Sequence, residues 1–489
     1  MNLSATNRFN QVAWLLVITY IAGMFLPRLV GEGMFADGLC YAAIARNMAE
    51  GHGTLWTPFF SSSFWLPYNT GPIFYENLPL TFWLQSWFFR LFGDAWWVEK
   101  LYCAVVLVAV AALIVAVWRK ACAVFNPEWK PLGWLPVLFW YTVPTVIWAS
   151  PNNQLDYTMS FFSLAAVYFV MPSARPQWWH FALGGLLVFV AFLCKSPVGI
   201  FPLAVPLVAW LVFRHETFAE AFLANAIVVV SFVIFMVALW LHEPARDWLN
   251  QYVNQQLLSA LAGKRETTGG GWQAHVYILP KIFTENAPAL AFGLAFTLLV
   301  KRRKSLRIKQ NGLFWFFLLI GVSGSLPIII SPKQDQLYLL PAFPFFALAI
   351  AFLFAPAVSA WSNLVAYRSV LKKWSVGLWV ILAGVLVYSY WLWGTPNREQ
   401  DVLADMNQAA KIIPTGAKVG VCPSMMPDFV HHCYFQRYHK WELTTDPTQT
   451  SYFLIQDDCQ PAFEDQLKAA GFQYKNEVME RYRIFVKAK

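Results

Sequence analysis

The sequence predicts an α-helical polytopic membrane protein of about 11 transmembrane helices, followed by a small soluble α/β domain. Three observations predict it. The 489 residues are 58% hydrophobic and only 13% charged, whereas charged residues approach a quarter of an ordinary globular chain. Apolar runs close to the ~20 residues that cross a hydrocarbon core recur eleven times. After residue 394 such runs stop and the composition turns polar.

The runs lie at 11–30, 99–118, 131–149, 157–172, 178–194, 197–213, 220–241, 287–301, 312–330, 337–356 and 374–394. The first, Gln11 to Val30, exceeds a secretory h-region and is followed by no small-residue cleavage site, so it is expected to stay as a helix. Within 178–213 the prolines could place a re-entrant piece instead of a plain helical pair.

The net charge of +9 follows the topology. With a cytoplasmic N-terminus, the inner loops carry Arg119, Lys120, Lys130, Arg175, Arg214, the block KRRKSLRIK at 301–309, Arg368, Lys372 and Lys373. Short outer turns carry only Lys195 and Lys333. This asymmetry obeys the positive-inside rule, so the basic residues imply membrane orientation and no nucleic acid. Residues 31–98, 243–286 and the tail from Thr395 then fall outside, away from the cytoplasm. The stretch 34–53 reads as an amphipathic juxtamembrane helix lying in the interface, with Leu39, Ala43, Ile44 and Met48 opposite Arg46, Asn47 and Glu50.

The domains expected are therefore 1–394, in the membrane, and 395–489, outside it. In the tail, VGVCP, SYFLIQ and YRIFVKAK read as strands and PAFEDQLKAAGF as a helix with a glycine stop. Cys422, Cys433 and Cys459 lie there; one disulfide and free buried cysteines are both open readings. Seven cysteines without a CxxC pair give no metal or redox motif.

Charge inside hydrocarbon costs roughly 2.5–3.5 kcal/mol on insertion scales and marks ion or proton paths. None of the eleven runs carries one near its centre, which counts against a coupled transporter. The chemistry is expected at the outer ends instead. Asp37, Glu76, Asn77, Asn152, Asn153, Asp156, Lys195, Lys333, Gln334, Asp335 and Tyr338 gather there, with the loop holding Lys264, Arg265, Glu266 and His275. Such a set suits an amphipathic lipid whose phosphate sits at the interface: lysines supply point charges, and a carboxylate can take a proton from an acceptor hydroxyl.

Four blocks in order are similar to the integral-membrane glycosyltransferases of the C superfamily, in the branch of the protein O-mannosyltransferases and lipid A aminoarabinose transferases. ADGLCYAAIARNMAEGHGTLWTP resembles the acidic first outer loop. FYENLPLTFWLQSWFFRLFGDAWWVEKL resembles the "(Y/F)E-x-P-P-L-x-(F/Y)-W" helix. NNQLDYTMSFFSLAAVYF with FLCKSPVGIFPLAVP resembles the lysine-glycine-proline turn. SPKQDQLYLLPAFPFFALAIA resembles "S-x-x-K-x-x-x-Y-x-L-P-x-x-P". Together they extend over most of residues 31–355.

The resemblance implies inverting sugar transfer from a polyprenyl-phosphate sugar to a lipid, glycan or protein acceptor, with no cofactor required. It implies Asp37 as general base and acceptor anchor, Glu76 across the same cavity orienting acceptor or donor, and Lys195 and Lys333 as ligands of the donor phosphate, on the periplasmic side of a bacterial inner membrane. Tyr338 would line the lipid groove, and Asn77, Asn153, Asp156 and His275 the cavity. Asn77 and Leu78 stand where the family has a basic residue and a first proline, so Arg265 or His275 is expected to replace that contact. Gly38 stands where a second acidic residue is common, so Asp37 is expected to work alone.

Simpler readings exist for each residue. Asp37 could be an N-cap, Glu76 could serve a helix dipole, and Asp156 could cap a membrane helix. Lys195 and Lys333 could snorkel to headgroups. His52, His242 and His275 could hold a divalent cation, but no HExxH or His-x-His spacing supports one. Gly269 to Gly271 could form a lid or a linker. Trp56, Trp65 and Tyr68 could stack on sugars or anchor the interface. A lipid-linked-sugar flippase and a non-catalytic scaffold remain the rival functions. The leading reading requires Asp37, Glu76, Lys195 and Lys333 to converge at the outer leaflet.

Overall fold

A backbone crossing hydrocarbon has no water to bond, so apolar runs must become helices or have their breaks satisfied by neighbours. The structure is a computed structural model and describes residues 3–63, 71–173, 177–301, 312–364, 368–477 and 479–488. Trp65, Tyr68, Arg175 and the basic block beyond Lys301 lie outside the described residues. Among the described residues, seven helices are long and apolar enough to cross a membrane: Asn7–Leu29, Val98–Phe125, Phe218–Leu241, Gln273–Val300, Gly312–Ile330, Phe343–Ser362 and Ser369–Trp391. Leu155–Val170, Trp178–Cys194 and Pro197–Phe213 are shorter apolar helices.

Two expectations need correction. The run 131–149 is not one helix but two, Trp134–Tyr141 and Pro144–Ala149. Pro144 lacks an N–H and forces the residue before it out of the helical region; Val143 is accordingly extended. The second correction concerns charge. The span Gln273–Val300 starts well before residue 287 and carries Glu285 and Asn286 near its middle, both buried. The two corrections explain one another, because the Glu285 carboxylate accepts the Thr145 N–H at 2.8 Å and so satisfies a donor that the helix break leaves without a carbonyl. Pro197 and Pro202 likewise confine Pro197–Ala204 to a 3-10 turn before Val205–Phe213 continues as α-helix.

The chain divides into two compact units: Met1–Leu29 with Cys103–Trp391, and Val30–Tyr102 with Leu392–Lys489. In the first, Phe343–Ser362 is central, 78% of it buried against 11% of Ser369–Trp391. Ends assigned to the same side meet one another. Lys120 donates to the Tyr168 carbonyl, Phe125 stacks on Phe213, and Trp118 stacks on Phe352. At the opposite ends, Lys195 pairs with Asp156, and the Gln334 side chain accepts from Ile278. This is the up-and-down alternation the loop charges imply. Gly185 permits a close helix approach, since a Cβ there would lie 2.3 Å from the Val228 carbonyl oxygen.

The second unit is built on a five-stranded sheet. Strands β1 (Lys418–Gly420), β2 (Glu442–Thr444), β3 (Tyr452–Gln456), β4 (Phe472–Lys475) and β5 (Tyr482–Lys487) lie in the order β2-β1-β3-β5-β4. The first three are parallel, and β5 runs antiparallel to β3 and β4. The three expected strands and the helix, now Pro461–Ala469, are present, and Gly471 with positive φ ends that helix. Helices Gln400–Ala409 and Phe429–His439 and the short strands β2 and β4 were not expected. Cys422 and Cys459 form a disulfide, while Cys433 is a buried thiol.

Helix Ala36–Ala49 packs with this sheet domain rather than lying in an interface. Arg46 and Asn47, expected to face headgroups, are buried. Arg46 pairs with Asp94 at 3.3 Å and donates to the Gln436 carbonyl, while Asn47 donates to Phe59 and Phe60 carbonyls. From Phe429–His439, Arg437 reaches Glu99 at 2.7 Å and Asp94 at 2.8 Å. Tyr434 donates to the Met34 carbonyl, and Tyr438 accepts from Gly33. Gly33 must be glycine, since its φ is +86° and a Cβ would meet the Arg398 carbonyl oxygen at 2.7 Å. Helix Leu80–Phe92 is the element that does suit an interface: Gln85 and Ser86 are buried while Trp87, Leu91 and Phe92 are exposed.

Arg437→Ala leaves Glu99 buried without its counter-charge, which costs ~3–5 kcal/mol. A thermal melt of the detergent-solubilised protein should fall by the corresponding amount, and adding Glu99→Gln should restore part of it. An unchanged melt would remove this ion pair from the account of stability.

Candidate functional site

Asp37 is the second residue of helix Ala36–Ala49. The N-cap position belongs to Phe35, so the capping reading of Asp37 does not hold. One turn on, at the spacing that puts side chains on one helical face, come Cys40 and Tyr41. Both Asp37 and Glu76 act on the Cys40 thiol: its pKa is pushed well up by burial, then by a hydrogen bond with Cys433, then by the charges of Asp37 and Glu76. The two carboxylates therefore share one neighbourhood. Asn77 extends it, donating to the Tyr41 hydroxyl at 3.5 Å. Tyr41 is itself wedged against Phe82 and Phe74, with centroids 5.5 and 6.1 Å away. Glu76 lies outside the first turn of Leu80–Phe92, which contains no acid, so a dipole role does not account for it.

The lysines belong to the other unit, where Asp156 opens helix Leu155–Val170 and meets Lys195 at 2.5 Å. Both are nearly enclosed, with side-chain exposures of 11% for Lys195 and 1% for Asp156. The Lys195 ammonium also lies 5.0 Å from the centre of the Tyr338 ring. Lys195 is thus neither snorkelling nor open to solvent: its charge is matched by a buried carboxylate. Asp156 Oδ1 has no hydrogen-bond partner among the described residues.

Lys333 is different. It pairs at 3.0 Å with Glu266, whose side chain is 67% exposed, and is itself partly open. Burial pushes the Glu266 carboxyl up, but the Lys333 hydrogen bond and charge, with Arg265 beside them, bring it below its ordinary value. Arg265 is buried, hydrogen-bonded to Gln256 and 3.8 Å from Glu266.

Gln334 organises this turn. Its amide nitrogen donates to the carbonyls of His275, Ser331 and Ile328, and its oxygen accepts from Ile278. Thr268 bonds the Pro332 and Gln334 carbonyls, so the loop before Gly269 is tied to the Lys333 turn. His275 holds the Ile329 carbonyl through Nδ1 at 2.8 Å, a tether within the loop.

The structure thus brings Asp37, Glu76 and Asn77 together in one unit, and Asp156, Lys195 and Tyr338 together in the other. Lys333 forms a second basic centre there with Arg265 and Glu266. Asn153 occupies the turn before Asp156, buried and left-handed at φ 50°, a conformation asparagine tolerates better than most residues. Gln334 and Glu266 were named among the polar residues of the outer ends but given no role, and Gln256 was not singled out by sequence. The Ser331-Pro332-Lys333-Gln334 turn was the available signal for Gln334, but only its four carbonyl and amide partners show its role. Among the described residues, Cys422, Asp458 and Cys459 place ligand-type atoms together, yet the two sulfurs are joined to each other and offer no thiolate.

Residues 76–240 match the family model described as dolichyl-phosphate-mannose-protein mannosyltransferase. That segment holds the second and third sequence blocks. In fold the chain is similar to ArnT from Cupriavidus metallidurans bound to undecaprenyl phosphate, at TM-score 0.64 and 14% identity, covering 96% of this chain and 97% of that one. The apo state of that protein matches at the same TM-score and identity, with 96% of each chain covered. The archaeal oligosaccharyltransferase AglB from Archaeoglobus fulgidus, with an inhibitory peptide and a dolichol-phosphate, aligns at TM-score 0.45 and 12% identity over 97% of this chain and 74% of that one, too distant to carry an argument. No curated protein matches the chain in sequence. The resemblance drawn from the four blocks and the fold therefore agree.

The lowered Glu266 carboxyl sets a pH dependence. A carboxylate whose folded pKa lies below its unfolded value contributes stability above the unfolded pKa and loses it as pH falls through the folded one. Because the pair is exposed, its worth is ~0.2–1 kcal/mol. Glu266→Gln should cost about that at pH 7 and nothing well below pH ~4, read as a difference in melting temperature that closes on acidification. A difference that persists in acid would dissociate Glu266 from Lys333.

Proposed function

We propose that this chain is a membrane glycosyltransferase that moves a sugar from a polyprenyl-phosphate donor to an acceptor on the outer face, with inversion. What carries the reading is a coincidence of two independent likenesses. The segment from Glu76 matches a mannosyltransferase family model, and the whole chain shares the fold of a protein crystallised with undecaprenyl phosphate.

In the proposed reaction, an acceptor hydroxyl or phosphate oxygen attacks the anomeric carbon from the face opposite the phosphate. Asp37 takes or polarises the acceptor proton, Glu76 orients the acceptor, and the donor phosphate leaves on the lipid. Attack opposite the leaving group inverts the anomeric centre. In this scheme the two lysines take different parts. Lys195 is already neutralised by buried Asp156, so it acts as a positioning residue for Asp156 and the Tyr338 ring. Lys333 has only an exposed carboxylate to exchange for phosphate, so it is the better phosphate ligand, with Arg265 behind it. The acceptor class favoured is a periplasmic lipid or glycan over a protein, in a bacterial inner membrane. No bound cation is invoked.

Asp37→Asn should lower transfer from a radiolabelled polyprenyl-phosphate sugar by about 10²–10⁴-fold while donor binding is retained. Unchanged transfer would exclude Asp37 as the base. Lys333→Ala should weaken undecaprenyl-phosphate binding, and Glu266→Gln should strengthen it by at most about fivefold, the worth of the exposed pair it removes. Titration of the purified protein with undecaprenyl phosphate, followed by thermal shift, reads both. Loss of binding in Glu266→Gln would mean that Glu266 assists the phosphate rather than competing with it.

A further inference from the structure

Helix Glu243–Tyr252 buries a stripe of Ala245, Trp248, Leu249 and Tyr252, spaced as one helical face requires. Trp248 and Tyr252 stack along it, with ring centroids 5.6 Å apart. One turn beyond Tyr252 the stripe ends on Gln256, which is only 8% exposed. Gln256 lies in the π-helical turn Val253–Leu257, a widened turn of a kind common at functional sites. An apolar side chain would pack there without cost, whereas a buried amide needs its hydrogen bonds made. Half of this amide is accounted for, because Oε1 accepts from Arg265 Nη1. The other half is not: Nε2 is enclosed and has no hydrogen-bond partner among the described residues. The amide nitrogens of its neighbours differ. That of Asn254 donates to the Asn250 carbonyl and that of Gln255 to the Gln251 side chain, both at 2.8 Å.

We propose that Gln256 is a third ligand of the lipid-carrier phosphate, donating from Nε2 beside Lys333 and Arg265; the inference rests on the reading of this chain as a polyprenyl-phosphate transferase. All four groups of the site belong to one compact unit and already form a chain of contacts. Gln256 Oε1 holds Arg265 Nη1, Arg265 Nη2 lies 3.8 Å from Glu266 Oε2, and that same oxygen lies 3.0 Å from Lys333 Nζ. One exposed carboxylate oxygen thus stands between two cations, where an incoming anion can exchange with it. A phosphate monoester offers three acceptor oxygens, one each for Lys333, for Arg265 and for the amide nitrogen that Glu266 leaves unmatched. The exchange that frees both cations also brings an acceptor to Nε2. Being neutral, the amide adds a directed donor without adding charge. The oxygen of the same amide meanwhile fixes the guanidinium, so Gln256 would both position Arg265 and bind beside it.

The test titrates the full-length protein in detergent with undecaprenyl phosphate and reads binding as a thermal shift over a concentration series. Gln256→Met, which keeps the side-chain volume and loses both polar atoms, should bind about tenfold more weakly, the worth of one hydrogen bond to a charged group. Failure of wild type to bind removes the transferase reading and this inference with it; binding by wild type that Gln256→Met leaves unchanged removes the inference alone. Because a loss could act through Arg265, the same change is made in Arg265→Met. A further loss of about threefold or more there shows that Gln256 meets the phosphate itself, whereas no further loss overturns the inference and leaves Gln256 a support for Arg265. Undecaprenol, which lacks the phosphate, should bind Gln256→Met as it binds wild type. An equal loss for both lipids would set Gln256 against the tail and overturn the inference as well. Gln256→Glu keeps an oxygen for Arg265 while replacing the donor by an acceptor, so it should fold even where Gln256→Met does not. Its binding of undecaprenyl phosphate should fall, and wild-type affinity would overturn the assignment.

Discussion

The carboxylate centre depends on a cluster of buried charge. Arg437, fully enclosed, faces Glu99 and Asp94, and Arg46 shares Asp94 from the helix that carries Asp37. A buried charge without its counter-charge is strongly unfavourable, so Arg437, Arg46 and Glu99 can be enclosed only with their partners in place, Asp94 closing the cluster from a partly open edge. The consequence is mechanical: the tail helix and the first-loop helix are held in one arrangement, and Cys433, Tyr434 and Tyr438 are brought against the residues around Asp37 and Gly33. A hydrophobic contact of equal area would tolerate sliding. Paired guanidinium forks, with fixed directions, do not.

The basic centres obey the same electrostatics with opposite outcomes. Lys195 and Asp156 are both enclosed and neutralise one another through Asp156 Oδ2, which fixes the first turn of Leu155–Val170 and sets the ammonium beside the Tyr338 ring. Lys333 meets a carboxylate that stays mostly in water, and such a contact is cheap to exchange. Gln334 holds the turn beneath it through partners on three segments, so the Lys333 backbone is rigid while its side-chain partner is replaceable. A rigid backbone under an exchangeable side-chain contact is what binding an incoming anion requires.

Inside the membrane unit, irregular backbone is tolerated wherever a neighbour supplies the missing bond. The break at Val143 and Pro144 is matched by Glu285 on another span, a charge that would otherwise suggest an ion path. Here it completes a helix terminus. The helix count and the position of charge in the span are thus one feature seen from two places.

Much of this was legible in the chain itself. The apolar runs, the basic loops and the shift of composition near residue 394 specify a multi-span helical protein with a polar tail, because the cost of unpaired backbone and of charge in hydrocarbon depends on local sequence alone. Strands β1, β3 and β5 were legible for the same reason, being short alternating or apolar runs between turn residues. The burial of Arg46, the mid-span place of Glu285, the hub role of Gln334 and the choice of Cys459 over Cys433 as the partner of Cys422 were not. Each depends on a partner tens to hundreds of residues away, and which partner arrives is set by how the elements pack. Local sequence determined what each segment must become; only tertiary structure decided which charges, amides and thiols would meet.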